Sequence, residues 1–67
     1  MNALVPLETQ IVCVEREIRQ RHRVYPRLVE RGTMKQHQAD AEIAAMNAVL
    51  QTLLSLRGAV PTQSPLL

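Results

Sequence analysis

The expected fold follows from one stretch of the sequence, Val24-Tyr25-Pro26-Arg27-Leu28-Val29-Glu30-Arg31-Gly32-Thr33-Met34. It contains a proline within apolar residues at helical spacing, then a glycine, then a threonine of the kind that starts helices. Pro26 removes a backbone hydrogen bond and clashes with the carbonyl four residues back, so it predicts that the helix is kinked or broken there. Gly32 suits the left-handed conformation that ends a helix. The stretch therefore predicts two helices joined by a short turn.

Apolar residues on both sides of this stretch repeat every seven positions, which predicts two amphipathic helices. We expect helix 1 at about 7–31 and helix 2 at about 34–57, with Thr33 and Gln36 forming a capping box. A linker of about two residues makes the helices antiparallel neighbours. The predicted fold is thus all-α, an antiparallel two-helix hairpin over residues 7–58, with an N-terminal arm at 1–6 and a disordered tail at 59–67. The residues expected in the core or at an oligomer interface are Ile11, Val14, Ile18, Leu28, Ile43, Met46, Leu50 and Leu53.

A chain of 67 residues without Phe or Trp can bury little area by itself. Such a chain rarely gains more than about 3–5 kcal/mol from its core without staples or association. Cys13 is the only cysteine, so an intrachain disulfide is impossible, and the possible metal ligands lack the spacing of a metal site. We therefore expect no metal or cofactor and a homo-oligomer, most simply a dimer that packs two hairpins into a helical bundle.

The positive charge is concentrated, since seven of the eight basic residues fall between positions 16 and 35. Five arginines spaced 3, 4, 4 and 4 apart share one helical face if Pro26 does not rotate the helix: Arg16, Arg19, Arg23, Arg27 and Arg31. Such a row could dock on an acidic protein surface or bind nucleic-acid phosphates. It could also be a solvated face laced with pairs such as Glu15–Arg19 and Glu17–Arg21. The lack of stacking aromatic residues counts against nucleic acid.

Two further side chains each allow two interpretations. Arg21 interrupts an apolar column of helix 1. Either its stem packs while its guanidinium reaches solvent, or it is a buried arginine that pairs with Glu42 or Asp40 of helix 2, or with another subunit, and defines the register. Tyr25, the only aromatic residue, is either an interface anchor that joins the five arginines as a partner-binding residue or a plug against helix 2.

Few residues could carry chemistry. Cys13 has no histidine nearby in sequence, and we expect a partly buried, inert thiol. His22 and His37 are expected on polar faces. Two helices cannot form a water-excluding pocket, so we expect no enzyme activity and no catalytic residues. Residues 1–7 lack the basic region of a signal peptide, and no apolar run approaches the roughly 18 residues of a membrane span, so we expect a cytoplasmic protein with no membrane association.

The opening stretch is also part of a longer pattern. An arginine-rich segment at 16–23 is followed by Val24-Tyr25-Pro26, Gly32-Thr33-Met34 and Ala39-Asp40-Ala41-Glu42-Ile43. Over roughly residues 11–54 the chain resembles small bacteriophage and prophage proteins of poorly defined function, with Leu28 where Trp is more common. The resemblance implies a phage-encoded accessory protein made in the cytoplasm of the bacterial host, and it implies no catalytic residue.

Together these features lead us to expect a small interaction protein that binds and modulates, by inhibition, a host protein such as a defence factor, nuclease or regulator. Two alternatives stay open. One is a nucleic-acid-binding accessory factor that uses the arginine face. The other is a structural subunit whose apolar stripe is buried only in a larger assembly.

Overall fold

The computed structural model describes residues 5–58, and within this range the chain forms two helices packed against each other as a hairpin. Helix α1 spans Leu7–Arg31 and helix α2 spans Gln36–Gly58. The described part of the chain contains no strand, so the prediction of an all-α helical hairpin is confirmed. The first four residues of the predicted arm and the whole predicted tail lie outside the described range.

Helix α1 continues through Pro26 without interruption. The alternative of a broken helix is therefore wrong, while a kink at this residue stays a prediction. Pro26 is exposed, and its missing N–H removes only the bond that would go to the carbonyl of His22. Because α-helix extends on both sides of the proline, the residues before and after it keep one helical phase.

The end of α1 is formed around Gly32, which adopts the left-handed conformation with φ 82° and ψ 8°. The Gly32 N–H donates to the carbonyl of Val29 at 3.0 Å, and the Thr33 N–H donates to the carbonyl of Leu28 at 3.0 Å. These two bonds are the Schellman motif, which satisfies carbonyls that a helix end leaves free. The predicted role of Gly32 in ending helix 1 is confirmed.

The predicted capping box at Thr33 and Gln36 is wrong. The Thr33 hydroxyl donates to the carbonyl of Leu28 at 3.1 Å, so it serves the end of α1. The Gln36 side-chain amide donates to the Asp40 carboxylate at 2.9 Å and does not reach back to residue 33. Helix α2 accordingly begins at Gln36 rather than at about residue 34, because Thr33 belongs to the turn that closes the preceding helix.

The core between the helices is small. Among the described residues, Ile11, Ile18 and Ala39 are buried, with exposed fractions of 2%, 9% and 3%. The other residues predicted for the core are only half-buried: Val14, Leu28, Ile43, Met46, Leu50 and Leu53. Two helices can cover only one side of each other, so most apolar side chains of the hairpin keep contact with solvent.

Candidate partner-binding face

Five arginines line the side of α1 that faces away from α2. All five are exposed: Arg16, Arg19, Arg23, Arg27 and Arg31. At about 100° per residue the centre of this set lies roughly opposite Ile18, which is buried against α2. Because α1 is continuous through Pro26, the last two arginines share the face of the first three. We call this set the arginine row.

The arginine row forms no ion pair with the carboxylates of residues 5–58. Within residues 5–58, the arginines that form ion pairs are Arg21 and Arg57, and neither belongs to the row. The pair predicted between Glu15 and Arg19 is not among them, whereas the pair of Glu17 with Arg21 is formed at 3.2 Å. Within residues 5–58 the arginine row is therefore not a face laced with ion pairs.

Cys13 lies beside the row and is exposed. The expectation of a partly buried thiol is wrong, because helical phase directs position 13 away from α2. The guanidinium of Arg16 donates to the Cys13 sulfur at 3.5 Å. Among the described residues, this is the side-chain hydrogen bond in which a member of the arginine row takes part.

Arg21 connects the two helices. Its Nε lies 3.2 Å from the carboxylate of Glu17, and its Nη1 lies 3.3 Å from the carboxylate of Glu42. The predicted pair of Arg21 across the hairpin is therefore formed, with Glu42 rather than Asp40 as the partner, but the prediction that this arginine is buried is wrong. The hydrogen bond to Glu17 raises the pKa of the Arg21 guanidinium above its ordinary value, with smaller contributions from Tyr25 and the charge of both carboxylates, against a lowering by burial. The side chain keeps 24% exposure, so the contact is a surface clamp and not a buried charge.

Tyr25 lies with Arg21 and apart from the arginine row. The Arg21 Cζ is 5.8 Å from the centroid of the tyrosine ring, within the range of a cation–π contact. Tyr25 is two positions from both Arg23 and Arg27, which is roughly 200° around a helix. A shallow pocket of about 230 Å³ beside the ring is lined entirely from α1, by Glu17, Gln20, Arg21, Val24 and Tyr25. The predicted partner-binding set thus divides into five arginines on one face and Tyr25 on another.

A second ion pair between the helices was not anticipated from the sequence. The Arg57 guanidinium lies 3.2 Å from one carboxylate oxygen of Glu8 and 3.3 Å from the other. The sequence suggested only favourable interactions of these two residues with the dipoles of their own helices. The signal that could have identified the pair is hairpin register, since Glu8 lies 24 residues before Gly32 and Arg57 lies 25 residues after it.

The remaining candidate residues bring no further site together. His22 and His37 are both exposed. In the described range, no group of three or more His, Cys, Asp or Glu residues is placed to hold a metal ion. Neither α1 nor α2 combines the length and apolar character that crossing a bilayer requires. No family model, curated protein or solved structure matches the chain.

Proposed function

We propose that this chain is a small accessory protein of the phage type that binds an acidic surface of a host protein and inhibits it by covering that surface. The carrying observation is the arginine row, in which five exposed guanidinium groups on one continuous helix lack a carboxylate partner within residues 5–58. The resemblance to phage proteins supports a partner in the bacterial cytoplasm, such as a defence factor, nuclease or regulator. The proposed action is binding alone, without a catalytic step.

The energetics of α1 favour a binding role for the row. Arg19, Arg23, Arg27 and Arg31 form three successive like-charge pairs at i,i+4 spacing. Each such pair destabilises a helix by about 0.2–0.5 kcal/mol. The row therefore works against the stability of the isolated helix, and carboxylates of a partner would relieve that repulsion. Guanidinium groups also bind carboxylates through two parallel hydrogen bonds, which adds geometric selectivity.

The dimensions of the row describe the surface that it fits. From Arg16 to Arg31 the helix rises by roughly 22 Å, at 1.5 Å per residue. Successive members of the row are separated by about 4.5–6 Å along the axis for the same reason. A complementary partner would present a straight acidic strip of similar length. Long-range attraction between the two surfaces would accelerate association and would weaken with added salt.

We also propose that the two helices run antiparallel and that two chains associate as a homodimer. An antiparallel orientation is supported by the ion pairs Glu8–Arg57 and Arg21–Glu42, since each joins a residue before the turn to one at a similar distance after it. Association into a homodimeric bundle is supported by the small core, in which three described residues are buried. Burial on this scale gives a single hairpin little stability.

The test compares capture of host proteins by the wild-type chain and by the triple variant Arg19→Ala/Arg23→Ala/Arg27→Ala. Captured proteins are identified by mass spectrometry, and helix content is measured by circular dichroism. We expect the triple variant to keep its helices and to lose the captured protein, because the central charge of the row is gone. The matched control Arg57→Ala removes an arginine outside the row and should keep the captured protein. Capture that survives the triple substitution would show that the row is the wrong surface.

Nucleic acid is the alternative partner that the same charges fit. Five phosphate contacts on duplex DNA predict that the logarithm of affinity falls with the logarithm of salt concentration with a slope of about −4 to −5. The separation of Tyr25 from the row disfavours single-stranded nucleic acid, because base stacking would need an aromatic ring on the same face. DNA retention measured across salt concentrations discriminates between the two. A slope of that size would show that the row binds DNA and would overturn the protein-binding proposal. If no DNA is retained at any salt concentration, the nucleic-acid alternative is excluded.

A further inference from the structure

Helix α2 has an apolar face that α1 leaves uncovered. No charged side chain occurs from position 43 to position 56. The side of α2 that packs on α1 carries the half-buried residues Ile43, Met46, Leu50 and Leu53. On a neighbouring side, Val49 and Leu56 are exposed to 44% and 54%. Apolar residues on two sides of one helix are typical of a helix with two packing partners, of which the hairpin provides one.

The uncovered residues repeat with the spacing of a helix-packing seam. Ala45, Val49, Thr52 and Leu56 are separated by 4, 3 and 4 positions and are all exposed. This spacing places them in two columns, as at the a and d positions of a heptad. The Thr52 hydroxyl donates to the carbonyl of Ala48 at 3.1 Å, so the seam can be covered without leaving that donor unpaired. We call these four residues the outer seam.

Charge indicates what covers the outer seam. A partner that brings charged side chains would bury them without a counter-ion, which is costly. The outward side of α1 is excluded as the cover because it carries the arginine row. We propose that the outer seam packs against the outer seam of a second copy of the chain, in an isologous antiparallel pair of α2 helices. This inference rests on the proposed homodimer and specifies its contact surface.

Side-chain size and end charges favour the antiparallel arrangement. It places Leu56 of one copy opposite Ala45 of the other, and Val49 opposite Thr52. Leu56, the largest of the four side chains, then meets Ala45, the smallest, as interdigitating packing requires, while Val49 and Thr52 are of similar size. The same arrangement brings the Glu42 end of one α2 near the Arg57 end of the other, whereas a parallel pair brings like charges together. Both arginine rows stay outside the pair, since each lies on α1 away from α2.

The first experiment measures association by sedimentation equilibrium at micromolar concentration. We expect a wild-type dimer, and we expect Val49→Glu to raise its dissociation constant by at least about 100-fold, because the symmetric seam would bury two unpaired carboxylates. Val12→Glu is the matched control, since Val12 is a valine of similar exposure, 52%, on α1. This control should leave the dissociation constant within a few fold.

A second experiment keeps the inference testable if Val49→Glu unfolds the chain. In a Cys13→Ser background, one sample carries Ala45→Cys and another carries Leu56→Cys. Under mild oxidation their mixture should form the disulfide-linked heterodimer, whereas each variant alone should cross-link poorly, because the antiparallel pair separates identical positions. Cross-linking of each variant alone and not of the mixture would overturn the antiparallel seam.

The measurements give different results for failure of the outer seam, of the homodimer and of the host-binding arginine row. A wild-type chain that stays monomeric up to about 100 μM, which corresponds to roughly −5.5 kcal/mol of association free energy, would overturn both the homodimer and the seam. A wild-type dimer that Val49→Glu leaves intact, with no mixed cross-link, would overturn the seam alone. Host-protein capture through the arginine row is measured separately and is decided by the triple arginine variant.

Discussion

The guanidinium of Arg21 lies 3.3 Å from the carboxylate of Glu42 and joins α1 to α2 across the hairpin. The same side chain holds Glu17 on its own helix at 3.2 Å and lies over the ring of Tyr25. Apolar side chains tolerate a shift of one helix along the other better than a directional ion pair does. Arg21 is therefore, with Arg57, a residue at which the relative position of the two helices is specifically defined.

We expect Glu42→Gln to lower the melting temperature by no more than a few degrees, because half-exposed ion pairs are screened by water and contribute little. Asp40→Asn is the matched control, since Asp40 accepts a hydrogen bond from Gln36 and does not contact Arg21. Thermal unfolding followed by circular dichroism measures both. A double-mutant cycle of Glu42→Gln with Arg21→Gln should show non-additive effects. Equal effects of Glu42→Gln and Asp40→Asn would argue against a specific role of the pair.

Replacement of Gly32 by alanine should destabilise the hairpin by about 1–2 kcal/mol, because a Cβ is disfavoured in the left-handed conformation. No atom lies within 4 Å of the position that the new Cβ would occupy, so the effect should come from the backbone alone. Gly58→Ala is the control, since Gly58 has the same open surroundings without a positive φ. Urea unfolding should find the control unchanged or slightly more stable, as alanine favours helix. Similar losses in both variants would contradict the role given to Gly32.

Ile11 is the most buried apolar side chain of the described core, with 2% exposure. Ile11→Val should lower the free energy of unfolding by about 0.5–1.5 kcal/mol, because it removes one buried methylene from a closed contact. The adjacent Val12 is 52% exposed, so Val12→Ala should change that free energy by no more than about 0.5 kcal/mol. Chemical denaturation with a shared slope compares the two. A larger loss at position 12 would mean that α1 packs through another face.

The arginine row should cost stability in the free chain while it contributes to binding. Arg23→Gln/Arg27→Gln removes all three like-charge i,i+4 pairs of the row and should stabilise α1 by about 0.6–1.5 kcal/mol at low salt. The gain should shrink in 1 M salt, where the Debye length is about 3 Å. Helix content and unfolding at both salt concentrations measure this, and capture of the host protein should be lost in parallel. Destabilisation by these substitutions would instead assign the row a structural role.

The turn between the helices shows where local sequence patterns are sufficient and where they are not. Gly32 could be predicted to end α1 because its conformational freedom is a property of the residue itself. Thr33 could not be assigned in the same way, since its hydroxyl can serve the helix before it or the helix after it. In the structure the Thr33 hydroxyl donates to the Leu28 carbonyl at 3.1 Å. The effect of Pro26 was ambiguous for a related reason. Its missing N–H costs one hydrogen bond, and a helix that extends on both sides of the proline can tolerate that loss.

Spacing along the sequence was enough to predict two helices and the turn at Gly32, because these depend on residues within one or two helical turns. A common face for the five arginines also required α1 to continue through Pro26, which the structure shows. Only the tertiary structure decided that Arg21 pairs with Glu42 and not Asp40 and that Glu8 meets Arg57. Each of these depends on the position of one helix against the other. Asp40 and Glu42 both lie within one turn of the register of Arg21, so packing determines which of the two Arg21 reaches.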